Sequence, residues 1–256
     1  MSRVGTAAVL LAILLAALFV LPRAGVAALI ALVIGIGGYE WGRLCGLNAQ
    51  LYAGATVISL LLLFWFDITQ PLFMLATIFW MVAAPAWLWI GVKPEHRTAL
   101  AAVGFVALVP AALAVVVLNP AEALVVLAVA WIADTAAYFA GRRWGRRKLA
   151  PAISPGKTWE GAAGGLIGAA AYAMILSVFL AGAQATRMAA FIGAAALLVV
   201  VSIVGDLFES ALKRQAGVKD SGAILPGHGG MLDRIDSAAA VLPVAAFFLP
   251  FLKNPL

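Results

Sequence analysis

The stretch MAAFIGAAALLVVVSIVGDLFESALKRQ, residues 188–215, decides the fold class. Its first eighteen residues carry no charge, and a helix needs about 20 mainly apolar residues to cross a bilayer. Asp206 follows this run directly. A carboxylate at membrane depth is costly unless it is paired, binds a metal or faces water. The stretch therefore predicts a membrane-spanning helix that ends in a functional polar group.

The rest of the chain has the same character. Of its 256 residues, 65% are hydrophobic and 11% are charged, whereas soluble domains carry roughly a quarter charged residues. We therefore predict an all-α integral membrane protein. It should form one domain over 1–256, with N-terminal spans in 1–120 and the catalytic part in 121–256. About nine transmembrane helices are expected, near 4–21, 24–40, 51–67, 71–91, 99–118, 121–140, 161–181, 188–206 and 237–252.

The distribution of Lys and Arg predicts the orientation. Two long polar connections, about 141–160 and 207–236, are separated by two spans and must emerge on the same side. If that side is inside, fourteen Lys and Arg residues lie inside and three outside, which is the bias of cytoplasmic loops. The N-terminus and the polar site are then cytoplasmic and the C-terminus lies outside. The net charge of +6 is accordingly attributed to membrane anchoring, and no nucleic-acid partner is expected. The first segment lacks a clean small-x-small cleavage site, so we expect it to be retained.

A stripe of polar residues follows the long apolar run. On a helix, Asp206, Glu209, Ser210 and Lys213 stand at i, i+3, i+4 and i+7 and share one face. This stripe suits a cation held beside a phosphate. It also suits a solvated helix end with an ordinary Glu209–Lys213 pair, and the pattern alone leaves both interpretations open.

The stretch GVKDSGAILPGHGGMLDRID, residues 217–236, follows this stripe. Its five glycines and Pro226 indicate a tight, irregular connection, in which backbone N–H groups can approach a phosphate closely. Asp233 and Asp236 stand at i and i+3, and oxygen ligands of this kind suit magnesium. They can reach the preceding carboxylate stripe only if this stretch folds back. His228 either bonds a backbone carbonyl or contacts a bound ligand.

A second polar cluster precedes these two. Asp134 and Arg142 lie two helical turns apart at the end of a span, and Arg142 begins a basic run over 142–148 that suits anionic headgroups. The segment SPGKTWEG, residues 154–161, is typical of a turn that leads into a helix N-terminus, where its lysine and hydroxyl groups are available to an anion. It lacks the spacing of a Walker A loop.

These residues resemble a known family. The pattern Ser-Ala-Leu-Lys-Arg at 210–214, Lys219-Asp220, then LPGHGGMLDRID at 225–236 is similar to the complete signature of phosphatidate cytidylyltransferases, also called CDP-diacylglycerol synthases. The segments 134–142 and 154–161 resemble two further parts of that family. The resemblance covers about residues 131–236, and the N-terminal spans match only in being hydrophobic.

The resemblance implies a membrane-bound nucleotidyltransferase of phospholipid biosynthesis that requires magnesium. A phosphate oxygen of phosphatidate attacks the α-phosphorus of CTP, and pyrophosphate leaves. Such chemistry needs positioning and charge neutralisation more than covalent help from the protein. Because CTP arrives from the cytoplasm and phosphatidate stays in the leaflet, a polar site at the cytoplasmic ends of spans meets both needs.

The resemblance also implies roles for individual residues. We expect Asp206 and Asp233 to bind the metal, with a second cation left open. The expected catalytic residues are Asp206, Asp233, Asp236 and Lys213. The expected substrate-binding residues are Ser154, Lys157, Thr158, Ser210, Arg214, Lys219, Asp220, His228, Arg234, Asp134 and Arg142. Expected partners are CTP, phosphatidate and membrane lipids, and small-residue faces such as 161–168 permit a homodimer.

Other functions remain compatible with parts of the pattern. A polyprenol or phytol kinase would also use CTP, but it would release CDP rather than pyrophosphate. An ion-coupled transporter would use Asp134, Asp206 and Asp233 as a relay, yet transporters place such acids near the bilayer midplane and show repeated halves. A purely structural membrane protein has little reason to concentrate acids, lysines and glycines in one loop.

Overall fold

The computed structural model describes residues 3–181, 184–224 and 229–253. Those ranges form nine long helices, which confirms the predicted all-α class. They are α1 (Arg3–Val20), α2 (Arg23–Leu44), α3 (Ala49–Trp65), α4 (Gln70–Ile90), α5 (Arg97–Val117), α6 (Pro120–Trp144), α7 (Trp159–Ala181), α8 (Ala185–Gln215) and α9 (Leu232–Lys253).

Seven of these helices are long and apolar enough to cross a bilayer, counting only the described residues. The two others are α1, whose apolar part is Leu11–Val20, and α3 with 17 residues. At 1.5 Å per residue, α3 extends about 25 Å, near the lower limit for a span. Each hydrophobic segment that the sequence predicts is therefore a helix, and seven of the nine qualify as spans by length and composition.

Two helices accommodate a proline within their length. In α4, the segment Phe79–Ala83 is a π-helix, and Pro85 lies two residues beyond it. Proline lacks the N–H that would bond the carbonyl four residues earlier, and a π turn is one way to absorb such a break. Pro110 lies inside α5 and is buried. Both prolines are thus tolerated inside long apolar helices, as expected where neighbouring helices cover the freed carbonyls.

Glycines bring helices of the predicted catalytic part, residues 121–256, into close contact. A Cβ atom added at Gly164 in α7 would lie 2.3 Å from the Cβ atom of Ala140 in α6. A Cβ atom at Gly205 in α8 would lie 2.8 Å from the carbonyl oxygen of Asp236 in α9. Only glycine permits these approaches. Because Gly205 precedes Asp206, this contact places two of the predicted site carboxylates on facing helices.

An aromatic cluster fixes the other side of α8. The Phe208 ring is fully buried. It packs edge-on against Phe79 at 5.3 Å and Trp80 at 5.9 Å between ring centroids, and it also contacts Trp87 at 5.8 Å. Aromatic pairs in such geometry add to the stabilisation from burial. The rotation of α8 about its axis is therefore set by packing, which turns its acidic face away from α4.

The polar connections differ from the predicted boundaries in two places. Helix α8 continues to Gln215, nine residues beyond the expected end of the span, so the stripe at 206–213 is helical. The first connection contains a short antiparallel hairpin instead of a plain turn, formed by β1 (Lys148–Ala150) and β2 (Ser154–Thr158). The hairpin leads directly into α7, and Lys157 lies near the end of β2.

The lone cysteine lies at the end of α2. Cys45 is 2% exposed, and burial raises the pKa of its thiol to about 11. The thiol therefore stays protonated near neutral pH, as expected for a packed and unreactive cysteine.

Candidate active site

Carboxylates from three helices line one large cavity. Its volume is about 670 Å³, and its polar lining includes Asp134 of α6, Asp206 of α8, and Asp233, Arg234 and Asp236 of α9. Most of the remaining wall consists of apolar side chains from α1, α2, α5 and α9. Residues 231–236 therefore lie at the same cavity as Asp206, as the prediction required, and acids that are distant in sequence share it.

The first charged pair in this cavity joins the hairpin to α8. Lys157 Nζ lies 2.5 Å from Asp206 Oδ2, and both side chains are about a quarter exposed. The Ser210 hydroxyl donates to Asp206 Oδ1 at 3.3 Å, which confirms that these residues share a helix face. Asp134 and Asp236 both lie within electrostatic range of Asp206 and of Lys157. Three carboxyl groups and one ammonium group thus lie within electrostatic range of one another, and carboxyl oxygens in this number can also bind a hard cation.

The second charged cluster has three residues, is buried and joins α8 to α9. Lys213 Nζ lies 2.6 Å from Glu209 Oε2 and 2.5 Å from Asp233 Oδ1. The side chains of all three residues are at most 11% exposed. A buried ion pair needs further hydrogen bonds to offset its desolvation, and the other oxygen of Asp233 has them. Asp233 Oδ2 accepts from the Gly230 amide at 2.7 Å and from the amide and hydroxyl groups of Ser221, both at 3.0 Å.

The donor set fits a hard cation that also binds substrate. Among the described residues, no three His, Cys, Asp or Glu side chains are placed to hold a metal by themselves. Magnesium does not need such a set, since it prefers one or two carboxylates completed by phosphate and water oxygens. Asp206 and Asp233 both line the cavity, yet each already contacts a different lysine. Their sharing of one metal stays a prediction.

Several predicted substrate-binding residues have structural contacts of their own. Thr158 is 6% exposed, and its hydroxyl oxygen accepts from the Gly161 amide at 3.1 Å, which caps the start of α7. Arg214 donates to the carbonyl oxygens of Ile153 and Val218, so it ties α8 to the hairpin and to the following loop. Arg142 donates to the Tyr138 hydroxyl at 3.3 Å. The substrate-binding roles of Thr158, Arg214 and Arg142 stay predictions.

The remaining predicted residues lie at the edge of the site. Ser154 begins β2 and is half-buried, whereas Lys219 and Asp220 are exposed in the loop after α8. Arg234 is exposed and lines the cavity. His228 lies outside the described residues, so its two interpretations stay open.

One buried contact beside the site was not predicted from the sequence. Glu40 of α2 is 1% exposed, and its carboxylate accepts from the Ser221 hydroxyl at 2.9 Å and from the amides of Met231 at 3.0 Å and Leu232 at 2.9 Å. An N-terminal helix thus contacts the stretch 217–236 directly. The argument that identified Asp206, that an acid within a long apolar helix needs a partner, would have identified Glu40 as well.

Fold and site together define a polytopic membrane protein with a cationic and acidic site beside an apolar cavity. The chain belongs to the cytidylyltransferase family, whose sequence profile matches residues 1–252. It is 40% identical to the phosphatidate cytidylyltransferase of Pseudomonas aeruginosa over 96% of each chain. Phosphatidate cytidylyltransferases of Haemophilus influenzae and Thermotoga maritima are 48% and 43% identical over 132 and 137 residues. Those two alignments cover 50% and 52% of this chain and 45% and 51% of the relatives.

Proposed function

We propose that the chain is a phosphatidate cytidylyltransferase, which transfers the CMP moiety of CTP to phosphatidate in phospholipid biosynthesis. A phosphate oxygen of phosphatidate bonds to the α-phosphorus of CTP, and the bond from that phosphorus to the oxygen bridging to the β-phosphate breaks. The products are CDP-diacylglycerol and pyrophosphate. One observation carries the proposal: the ionic clusters around Lys157 and Lys213 meet at a cavity whose other walls are apolar.

The cavity suits a pair of substrates with opposite solubilities. Apolar side chains of α1, α2 and α5, such as Leu14, Ile34 and Leu108, line it together with the carboxylates of α8 and α9. Acyl chains gain by leaving water for such a wall, whereas phosphate groups need cations. A lipid phosphate that enters beside these walls would therefore come to rest next to the charged residues that receive a nucleotide.

We assign the charged residues by their position. Lys157, about a quarter exposed, and Arg234, which lines the cavity, would contact phosphate oxygens. Asp206 and Asp233 would hold magnesium, with Asp236 beside them as a further ligand. When bound, magnesium neutralises negative charge on the triphosphate and on the departing pyrophosphate. Lys213 is enclosed by two carboxylates, so its part is to hold Asp233 in place.

Labelled CTP distinguishes this reaction from that of a lipid kinase. Purified protein with phosphatidate, magnesium and CTP labelled at the α-phosphate should move the label into a lipid product. CTP labelled at the γ-phosphate should leave the lipid unlabelled and release labelled pyrophosphate. A kinase gives the opposite pattern, with γ-label in the lipid and CDP as the nucleotide product, and that pattern would refute the proposal.

We also propose that the site faces the cytoplasm of a bacterial cell and that the protein lies in the inner membrane. The distribution of positive charge supports this orientation, because the basic run over 142–148 extends from the last turn of α6 to the start of the hairpin. With nine crossings the N-terminus would be inside and the C-terminus outside. A homodimer stays a prediction, and the small-residue face of α7 over 161–168 packs on α6 within this chain.

Single cysteines provide a test of this orientation. In a Cys45→Ala background, we expect Arg147→Cys to react with a membrane-impermeant maleimide only from the cytoplasmic side. Arg187→Cys, at the start of α8, should react only from the outside. Both native side chains are exposed, so both new thiols should be accessible. Labelling in intact spheroplasts and in inverted vesicles makes the comparison, and reversed labelling would refute the orientation.

A further inference from the structure

The Glu40 carboxylate is the most deeply buried acidic group that the proposed reaction leaves without a role. It is 1% exposed on α2, and three hydrogen bonds from Ser221, Met231 and Leu232 satisfy it. Two of these donors are main-chain amides where α9 begins, which lack partners within the helix. The positive end of the helix dipole also favours an anion there. Glu40 therefore acts as an N-terminal cap for α9, supplied by a helix 191 residues away in sequence.

This cap also connects to a proposed metal ligand. The Ser221 hydroxyl lies 2.9 Å from Glu40 Oε2 and 3.0 Å from Asp233 Oδ2. The Gly230 amide, next to Met231, donates to the same Asp233 oxygen. A change at Glu40 would thus reach Asp233 by two routes, through the serine hydroxyl and through the main chain at the start of α9.

Glycines allow the main chain to come this close to the carboxylate. A Cβ atom at Gly222 would lie 2.2 Å from Glu40 Oε1, and one at Gly230 would lie 2.5 Å from either carboxylate oxygen. Arg43, one turn further along α2, donates to the Ser221 carbonyl at 2.5 Å. The two stretches on either side of residues 225–228 therefore both close on the same part of α2.

We propose that Glu40 is a positioning residue for the cytidylyl transfer: it holds Ser221 and the start of α9 so that Asp233 keeps one oxygen on Lys213 and stays at the cavity. It acts through Asp233 and does not touch substrate. The inference rests on the proposed function for its kinetic part only, because the contacts of Glu40 can be tested without turnover.

The kinetic test compares substitutions of two buried residues that each join α2 to another part of the chain. Glu40→Gln keeps the size of the side chain but places an amide N–H₂ group against main-chain donors. We expect kcat to fall about 10–100-fold and the magnesium concentration for half-maximal activity to rise, as when an outer partner of a metal ligand is lost. The control is Gln215→Met, which removes the bond from Gln215 to the Leu44 carbonyl. That bond joins α2 to α8 and involves neither Ser221 nor Asp233, so the magnesium dependence should not change.

Hydrogen exchange provides the second readout. In Glu40→Gln, the amides of Met231 and Leu232 should exchange at least about tenfold faster than in the wild type, and in Gln215→Met they should not. Ser221→Ala serves if Glu40→Gln does not fold, because it removes the hydroxyl group that joins Glu40 to Asp233 and leaves the bonds from the Met231 and Leu232 amides to Glu40 in place. It should shift the magnesium dependence in the same direction with unchanged exchange at Met231 and Leu232.

The outcomes separate the two proposals. Wild-type protein that makes no CDP-diacylglycerol refutes the function, and the exchange rates then test the cap alone. Active wild-type protein with an unshifted magnesium dependence in Glu40→Gln, or with unchanged exchange at both amides, overturns the positioning role. An equal magnesium shift in Gln215→Met would also overturn it, since the effect would then belong to the helix interface as a whole.

Discussion

Replacement of Asp206 by asparagine is expected to lower kcat/KM for CTP at least about 100-fold, because it removes a charge from the metal site proposed at the reacting phosphates. The carboxylate contacts Lys157 at 2.5 Å and lies beside two further acids at the cavity. Asparagine has the same shape and still accepts a hydrogen bond from Ser210, so the fold should persist. The measurement is CDP-diacylglycerol formation from labelled CTP over a range of magnesium concentrations.

Asp67→Asn is the matched control for this substitution. Asp67 is an exposed acid between α3 and α4 with a positive φ of 53°, a conformation that asparagine tolerates as well as aspartate does. Its turnover should equal that of the wild type. Near-normal turnover in Asp206→Asn, with an unchanged magnesium requirement, would remove this carboxylate from the metal site.

Replacement of Lys213 by methionine is expected to lower the free energy of unfolding by about 3–5 kcal/mol, the usual loss when one partner of a buried ion pair is removed. Lys213 lies between Glu209 and Asp233, and all three side chains are nearly buried. Methionine fills most of the same volume, so the lost charge and not a cavity accounts for the effect. Unfolding in mixed detergent and SDS micelles, followed by tryptophan fluorescence, provides the measurement.

A double substitution isolates the electrostatic cause. Glu209→Gln alone should destabilise the protein or leave it unchanged, whereas in the Lys213→Met background it should restore at least about 1 kcal/mol by removing an unpaired buried charge. Lys219→Met, at an exposed lysine of the following loop, should change stability by less than about 0.5 kcal/mol. If Glu209→Gln makes the Lys213→Met protein less stable, the loss has another origin.

The helices could be predicted from hydrophobicity, and part of the site from helical spacing. Lipid-facing helices need long apolar runs, which is why each predicted span is a helix in the structure and seven of the nine described helices qualify as membrane spans. The stripe from Asp206 to Lys213 follows from periodicity alone, and its contacts confirm it. The predicted span ends at residue 206 because the apolar run ends there. The helix α8 continues for about two more turns, in which Lys213 contacts Asp233 and Phe208 packs in the aromatic cluster.

The unpredicted features depend on partners that leave no mark in local sequence. Glu40 binds main-chain amides of α9, and any residue type could supply those amides. The second strand of the hairpin at 148–158 contains a proline and a glycine. Both residue types are depleted in strands, so strand propensity does not predict this hairpin. The pairing of Lys157 with Asp206, and of Lys213 with Asp233, depends on how far each loop folds back. Helical periodicity holds no information on that distance.

The distance along the chain between Glu40 and its donors has a consequence for biogenesis. Helix α2 enters the bilayer nearly two hundred residues of synthesis before Met231 and Leu232 leave the ribosome. Throughout that interval, the nascent chain carries an acid near the end of α2 that has none of its native donors, and a carboxylate is costly to bury without them. Insertion of the final helix ends this state. Translation must therefore run almost to completion before the early part of the protein can settle, and a chain that stops short of α9 would present quality-control proteases with an unsatisfied charge in its second helix.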